Sequence, residues 1–388
     1  MTATPLAVYV HVPWCLQRCP YCDFDTDAVA VRDIPHEAYA IGVQNELRFR
    51  APSLSEHTLQ TVFFGGGTPS LWSVNALASV LRSIEATFGA FASEITVECN
   101  PTSLDADRAL ALRDIGVTRV SIGVQSLQVP HLRYLGRLHD AESARRAVHS
   151  AAQIAGLRVT ADLMFGMPSQ TAEELLSDAR TLLDLGVGHF SAYALTVEPR
   201  TRFGELARKG RLPRLADDAV ALLFEALEAQ CAPWGLEHYE VSNYALEGQQ
   251  GQHNEAYWRG ADYLGLGVGA VGCYAREMTE KKQSVRYKTV YDIARYIADG
   301  QAAKMPQEEP EPLDAETLVR EGLMLGLRTA LGVNLADLQA RTGLDPRAGR
   351  ERAIARAVKR DNLEDLTTHL RIPRAKWLTA DDIIAGLF

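Results

Sequence analysis

No run of apolar residues in this chain approaches the roughly 20 needed to cross a bilayer. The opening stretch, MTATPLAVYVHVPWC, carries no positively charged leader and passes straight into a β-like run, unlike a secretory signal. A basic surplus is missing too: 40 lysines and arginines stand against 49 acids, a formal charge of −9. Polyanion-binding proteins carry basic surfaces, so nucleic acid is not an expected partner. The sequence shows no low-complexity tract. These absences lead to the expectation of a globular, cytoplasmic chain without a membrane span, in which thiols stay reduced.

Cysteine is scarce, six in 388 residues, and unevenly placed. Cys15, Cys19 and Cys22 fall within HVPWCLQRCPYC, with no fourth cysteine nearby. In a reducing compartment such a cluster points to metal binding or catalysis before disulfides. A structural zinc site needs four protein ligands, and His11 is an available fourth. An iron–sulfur cube normally takes four thiolates, so three from one loop would leave one iron open to a small molecule. Both readings stand on the residues alone. Cys99, Cys231 and Cys273 are expected to be packing residues.

The first half alternates short apolar runs (LAVYVHVP, TVFFGGG, EITVECN, RVSIGVQS, LRVTADLMFG, HFSAYAL) with helical segments. In DAESARRAVHSAAQIAG the spacing puts Ala141, Ala144, Val148, Ala151 and Ala155 on one face, with Asp140 as N-cap and Gly156 as stop. Six strands of near-continuous apolar character, each followed by a helix, predict an α/β fold with a parallel sheet. An open sheet and a barrel both fit, and both gather functional groups at strand C-termini. The cysteine loop, Gly65–Gly67, Glu98, Gln125 and Asp162 sit at such ends. The glycines of FFGGGTPS would let the backbone approach a ligand with free N–H groups. Glu98, Gln125, Arg137 and Asp162 are polar groups in apolar settings, where each needs a partner or a ligand.

The alternation breaks after Pro199. A helix is expected from about Leu215 to Cys231, and the run KMPQEEPEPLDAE reads as a linker. Beyond it lie two or three helices, a hairpin near LEDLTTHLRIP and a last helix capped by Thr379, a small helical, winged-helix-like module. The basic residues of PRAGRERAIARAVKR spread around their helix, the pattern of a solvated face.

Cys-x3-Cys-x2-Cys after a first strand, with Tyr21 before the last cysteine, resembles the radical S-adenosylmethionine (SAM) superfamily. That resemblance implies a partial (β/α)6 barrel and a [4Fe-4S] cluster on Cys15, Cys19 and Cys22. It also implies S-adenosyl-L-methionine on the open iron, cleaved in the family to a 5′-deoxyadenosyl radical. Tyr9, Gly66, Gly67, Thr68, Glu98, Gln125, Arg137 and Asp162 match the SAM-binding pattern of the branch that contains HemN and HemW. There Arg137 is expected to recognise the SAM carboxylate, Gly66–Thr68 its amino group, and the acids and Gln125 its ribose or methionyl groups. The implied organisation is a core barrel over 1–200, an extension closing the site over 201–304, and a C-terminal domain over 305–388.

The resemblance covers nearly the whole chain and is nearer to the HemW group. HemN proteins carry a further cysteine two places after the third; here that place is Phe24. HNEAYW, His253 to Trp258, matches a HemW motif linked to heme binding, although the residues alone fit equally a turn at His253 and Asn254 with Tyr257 and Trp258 in the core. Many HemW sequences place a histidine in the following glycine-rich stretch, where this chain has Val271. The implied function is heme chaperoning with transfer to an acceptor protein, fed by an electron donor such as flavodoxin or ferredoxin. The alternative is oxygen-independent coproporphyrinogen III dehydrogenation, against which Phe24 speaks.

Overall fold

The computed structural model describes residues 4–278 and 281–388. One twelve-stranded sheet organises the larger part of the chain. Its strands are β1 (Thr4–Val12), β2 (His57–Gly66), β3 (Glu94–Cys99), β4 (Arg119–Gln125), β5 (Arg158–Phe165) and β6 (His189–Ala194). They continue as β7 (Glu237–Glu240), β8 (Asn243–Ala245), β9 (Asp262–Leu266), β10 (Val271–Met278), β11 (Lys281–Thr289) and β12 (Glu308–Pro312). The spatial order is β12-β11-β10-β9-β1-β2-β3-β4-β5-β6-β8-β7. Strands β1 to β6 run parallel, as expected, and β9 adds a seventh parallel strand against β1. The glycine-rich stretch concealed β9, because glycine has low strand propensity. Among the described residues the two ends of the ladder, β12 and β7, do not pair.

Helices α1 (His36–Arg50), α2 (Val74–Phe88), α3 (Ala106–Asp114), α4 (Ala141–Ala152) and α5 (Ala172–Asp184) connect the parallel strands. Helix α4 starts as anticipated: Asp140 accepts from the Ser143 N–H and the capping box closes. It ends at Ala152, so Ala155 lies outside it and exposed, while Ala147 joins the buried face. Helix α6 (Asp217–Cys231) matches its expected span.

The strands are not apolar throughout; their residues alternate. Val8, Val10 and Val12, then Ile95 and Val97, then Val120, Ile122 and Val124 pack in the main hydrophobic core. The residues between them turn to the opposite side and line a cavity. Such a polar concave face on consecutive parallel strands is the interior of a partial barrel.

The Pro/Glu run read as a linker is instead the edge strand β12, with Glu308 to Pro312 paired to Thr289 to Val285. Prolines suit an edge, where they break no inner ladder. Glu308 anchors the strand through Arg50 (2.9 Å) and Arg276 (2.8 Å). A second core, including Leu323, Leu370, Trp377 and Ile384, holds the C-terminal helices against a three-stranded sheet. The hairpin near LEDLTTHLRIP is present as Glu364–Asp365 against His369–Arg371. Thr379 precedes the last helix without capping it; its hydroxyl donates to the Lys376 carbonyl.

Candidate functional site

One cavity of about 960 Å³ fills the concave side of the sheet, at the upper end of the size of small-molecule sites. Its wall includes Tyr9, Tyr21, Gly66, Gly67, Thr68, Glu98, Gln125, Arg137, Asp162, His253 and the three clustered cysteines, but neither Gly65 nor Trp258. Cys99 and Cys231 are buried, as packing residues should be, and Cys273 is half-buried.

The cysteine loop is clamped at both ends. Asp27 N–H donates to the Pro13 carbonyl at 2.7 Å and Val29 N–H to the Cys15 carbonyl at 2.9 Å. All three thiols are free and partly exposed. Burial pushes the Cys22 thiol up to about 11 and raises that of Cys15, so both keep their protons unless a metal replaces them. Two donors face the sulfurs: Thr68 Oγ1 lies 3.6 Å from Cys15 Sγ, and Arg137 Nη1 lies 3.5 Å from Cys19 Sγ. Three thiols attended by cationic and hydroxyl donors suit a negatively charged iron–sulfur cluster. His11 cannot be the fourth ligand of a zinc site as it stands. Its Nδ1 is bonded to the Tyr9 hydroxyl (3.0 Å) and its Nε2 to the Asp25 carbonyl (2.8 Å).

The glycine run does not offer free N–H groups. Gly66 N–H donates to Glu98 Oε2 (3.0 Å), Gly67 N–H to the Val12 carbonyl (2.8 Å) and Thr68 N–H to the Trp14 carbonyl (2.8 Å). The glycines serve close packing instead. A Cβ on Gly67 would lie 2.5 Å from the Trp14 carbonyl oxygen, and Gly66 has φ +108°.

Two carboxyls face the cavity from neighbouring levels of β3 and β5. Burial, then the charge of Asp162, pushes Glu98 up to about 8, although the Gly66 N–H holds it down. Burial pushes Asp162 up to about 6 against the hydroxyls of Ser191 and Ser121 and the charge of Arg137. A cationic ligand between them would restore their ionised forms. SAM carries an ammonium and a sulfonium, so this wall fits it. Gln125 sits at the irregular end of β4 with φ +66°, a strained setting for a non-glycine residue. Arg137 spans from Cys19 to the Gly123 carbonyl (2.8 Å), and its buried Nε has no partner.

His253 lies on the short helix α7 (Gln252–Trp258), not in a turn. It is 3 % exposed, stacked on Phe63 with ring centroids 5.0 Å apart. Thr61 Oγ1 is 2.8 Å from its Nδ1, while Nε2 is buried without a partner. Burial pushes its pKa down to about 3, so the imidazole is neutral, the form that ligates metal. Val271 lines the same cavity.

Several polar residues escaped the sequence reading. Glu94 accepts from Arg119 Nε (3.1 Å), Arg158 Nη2 (3.1 Å) and the His253 N–H (3.1 Å). It thereby ties the floor of the cavity to helix α7. Ser121, Thr160, His189 and Ser191 also line the wall. The signal was a polar residue at every second position of strands that are otherwise apolar.

A family model described as the radical SAM superfamily matches residues 9–182, and one described as the HemN C-terminal domain matches 313–378. The chain is 42% identical over 269 residues to the heme chaperone HemW of Escherichia coli, covering 69% of this chain and 70% of that one. To HemW of Mycobacterium tuberculosis (strain H37Rv) it is 35% identical over 367 residues, 94% of this chain and 90% of that one. The structure resembles coproporphyrinogen III oxidase HemN of Escherichia coli with a TM-score of 0.79 at 18% identity, covering 100% of this chain and 91% of the other. That likeness concerns the fold. The cysteine loop, the matched core and C-terminal domain, and these relatives together assign the chain to the HemW family of radical SAM proteins.

Proposed function

We propose that this protein is a heme chaperone that carries a [4Fe-4S] cluster on Cys15, Cys19 and Cys22, binds SAM beside it, and holds heme through His253 before passing it to an acceptor protein. One observation carries the reading. The three thiols and a neutral imidazole with an unpartnered Nε2 line the same cavity of about 960 Å³. The names of the relatives support the heme part.

When bound, the cluster supplies one-electron reducing power at an iron open to SAM. The chain's own residues set the surroundings. Arg137 has a spare buried Nε for a carboxylate, and Glu98 and Asp162 offer charge to the ammonium and sulfonium. Gln125 and Tyr9 border the same space. Thr61 and Phe63 fix the imidazole of His253, and Glu94 fixes the helix that carries it. Phe24, 57 % exposed, occupies the position where HemN proteins have a cysteine. Among the described residues no helix is long and apolar enough to cross a membrane. A cytoplasmic setting, with reduced flavodoxin or ferredoxin as electron source, completes the proposal.

The test is an anaerobic hemin titration of the wild type and of His253→Ala. A one-to-one complex with a shifted Soret band, weakened at least tenfold in the variant, is expected. Equal and only weak binding by both would contradict the heme assignment. Formation of protoporphyrinogen in anaerobic turnover with coproporphyrinogen III would overturn it in favour of a dehydrogenase.

A further inference from the structure

Helix α7 has only seven residues, too few to hold its own place, so its anchors decide where His253 stands. Besides the Glu94 contact, two anchors lead into the C-terminal domain. At the start of the helix the Gly251 N–H donates to the Tyr239 hydroxyl (3.1 Å), and the carbonyl of the same Tyr239 accepts from the Ala330 N–H (2.9 Å). Its neighbours repeat the tie: the Val241 N–H donates to the Arg328 carbonyl (2.9 Å), and Glu240 and Thr329 form an antiparallel bridge. At the far end, Arg341 Nη1 donates to the Gly260 carbonyl and lies 3.5 Å from the carbonyl of Arg259, the C-cap of the helix. Carbonyls at a helix C-terminus lack intrahelical partners and carry the negative end of its dipole, so a guanidinium suits them. The helix Ala315–Gly326 also packs directly against α7.

Among the described residues none beyond Lys288 lines the cavity. The C-terminal domain therefore reaches the site through α7 alone and supplies no wall of its own. We infer that Arg341 is a positioning residue of the heme site: with the link from Tyr239 to Ala330 it fixes α7 at both ends and thereby sets the His253 imidazole relative to the cavity. The inference rests on the heme reading above. The ring is oriented by Thr61 and Phe63 on β2, whereas the backbone that carries it is held by Glu94 and from the C-terminal domain. Iron ligation needs both, because a ligand is only as well placed as the groups behind it. A shift of the helix would carry Nε2 out of line with no change in any residue of the cavity wall.

The test follows hemin binding to the full chain by its Soret band and by electron paramagnetic resonance of the ferric complex. Arg341→Ala should weaken binding roughly fivefold or more and change the g values that report the geometry between imidazole and iron. Arg341→Lys, which keeps a cationic donor for the same carbonyls, should recover most of the affinity and the wild-type spectrum. Arg328→Ala, which breaks a 2.6 Å pair with Asp381 away from α7, should stay within roughly twofold of wild type with an unaltered spectrum. Should Arg341→Ala fold poorly, Tyr239→Phe, which frees the start of the helix, should still lose roughly threefold.

Wild-type affinity and spectrum in Arg341→Ala overturn the inference. So does an equal loss in Arg328→Ala, which would make the effect one of general stability, and so does a loss in Arg341→Ala that comes with no spectral change or that lysine does not rescue. His253→Ala in the same series separates the two failures. Hemin binding unmoved by that substitution sinks the heme reading itself, whereas binding lost there but kept by Arg341→Ala and Tyr239→Phe sinks only the positioning role.

Discussion

Arg137 donates to Cys19: its Nη1 lies 3.5 Å from the sulfur, while Nη2 reaches the Gly123 carbonyl on β4 at 2.8 Å. One guanidinium thus couples the cysteine loop to the strand ends that bear Gln125. A planar fork reaches two separated acceptors from two different nitrogens, which the single nitrogen of an ammonium does not. Arg137→Lys and Arg137→Gln should both lose iron to a chelator several-fold faster than wild type. Iron release followed anaerobically checks this, and wild-type rates in both variants would show that the contact is incidental.

Gly67 and Gly89 give contrasting substitutions. A Cβ at Gly67 meets the Trp14 backbone, whereas Gly89, a helix C-cap with φ +61°, has open space around it. Gly89→Ala should cost about 1 kcal/mol of backbone strain, and Gly67→Ala more than about 3 kcal/mol, because backbone must move. Urea unfolding of both variants measures the difference.

Much of this arrangement was legible in the sequence, for physical reasons that differ by element. Strands β1 to β6 and the capped start of α4 announce themselves through local patterns. The cysteine trio and HNEAYW are short motifs, and the three cysteines, His253, Asn254 and Tyr257 line one cavity. Strand β12 was hidden because two prolines and three glutamates read as a linker unless the partner strand and Arg50 are known. The committed N–H groups of Gly66 to Thr68 were hidden because Val12, Trp14 and Glu98 accept from them across the fold. The Glu94–Arg119–Arg158 floor was visible only as charges starting three strands, and register between strands is what joins them.

Glu98 predicts a pH dependence. Its carboxyl titrates at about 8 in the fold against 4.5 as the ordinary value. Between those values the native state holds a proton that the unfolded state has lost, so this group's contribution to stability falls as pH rises. Metal-free Glu98→Gln should lose less stability than wild type between pH 5 and 8.5, by on the order of 1–3 kcal/mol once water in the cavity is allowed for. Urea midpoints at the two pH values give the answer, and parallel losses would place the carboxyl in ordinary solvent.

Thr61 predicts a graded effect on heme. Thr61→Val leaves His253 Nδ1 buried without its partner, costing about 1–3 kcal/mol of stability, and frees the ring to turn. Hemin affinity should fall several-fold, less than in His253→Ala. A titration of Thr61→Val beside His253→Ala ranks them, and an unchanged affinity in the former would remove Thr61 from the proposal.

The most direct measurement is anaerobic iron and acid-labile sulfide analysis of reconstituted protein, with electron paramagnetic resonance of the reduced sample before and after SAM. The account predicts about four irons and four sulfides per chain, absent when Cys15, Cys19 and Cys22 are all changed to Ala, and a spectrum that shifts when SAM is added. Zinc in place of iron, or a cluster signal unmoved by SAM, would contradict it.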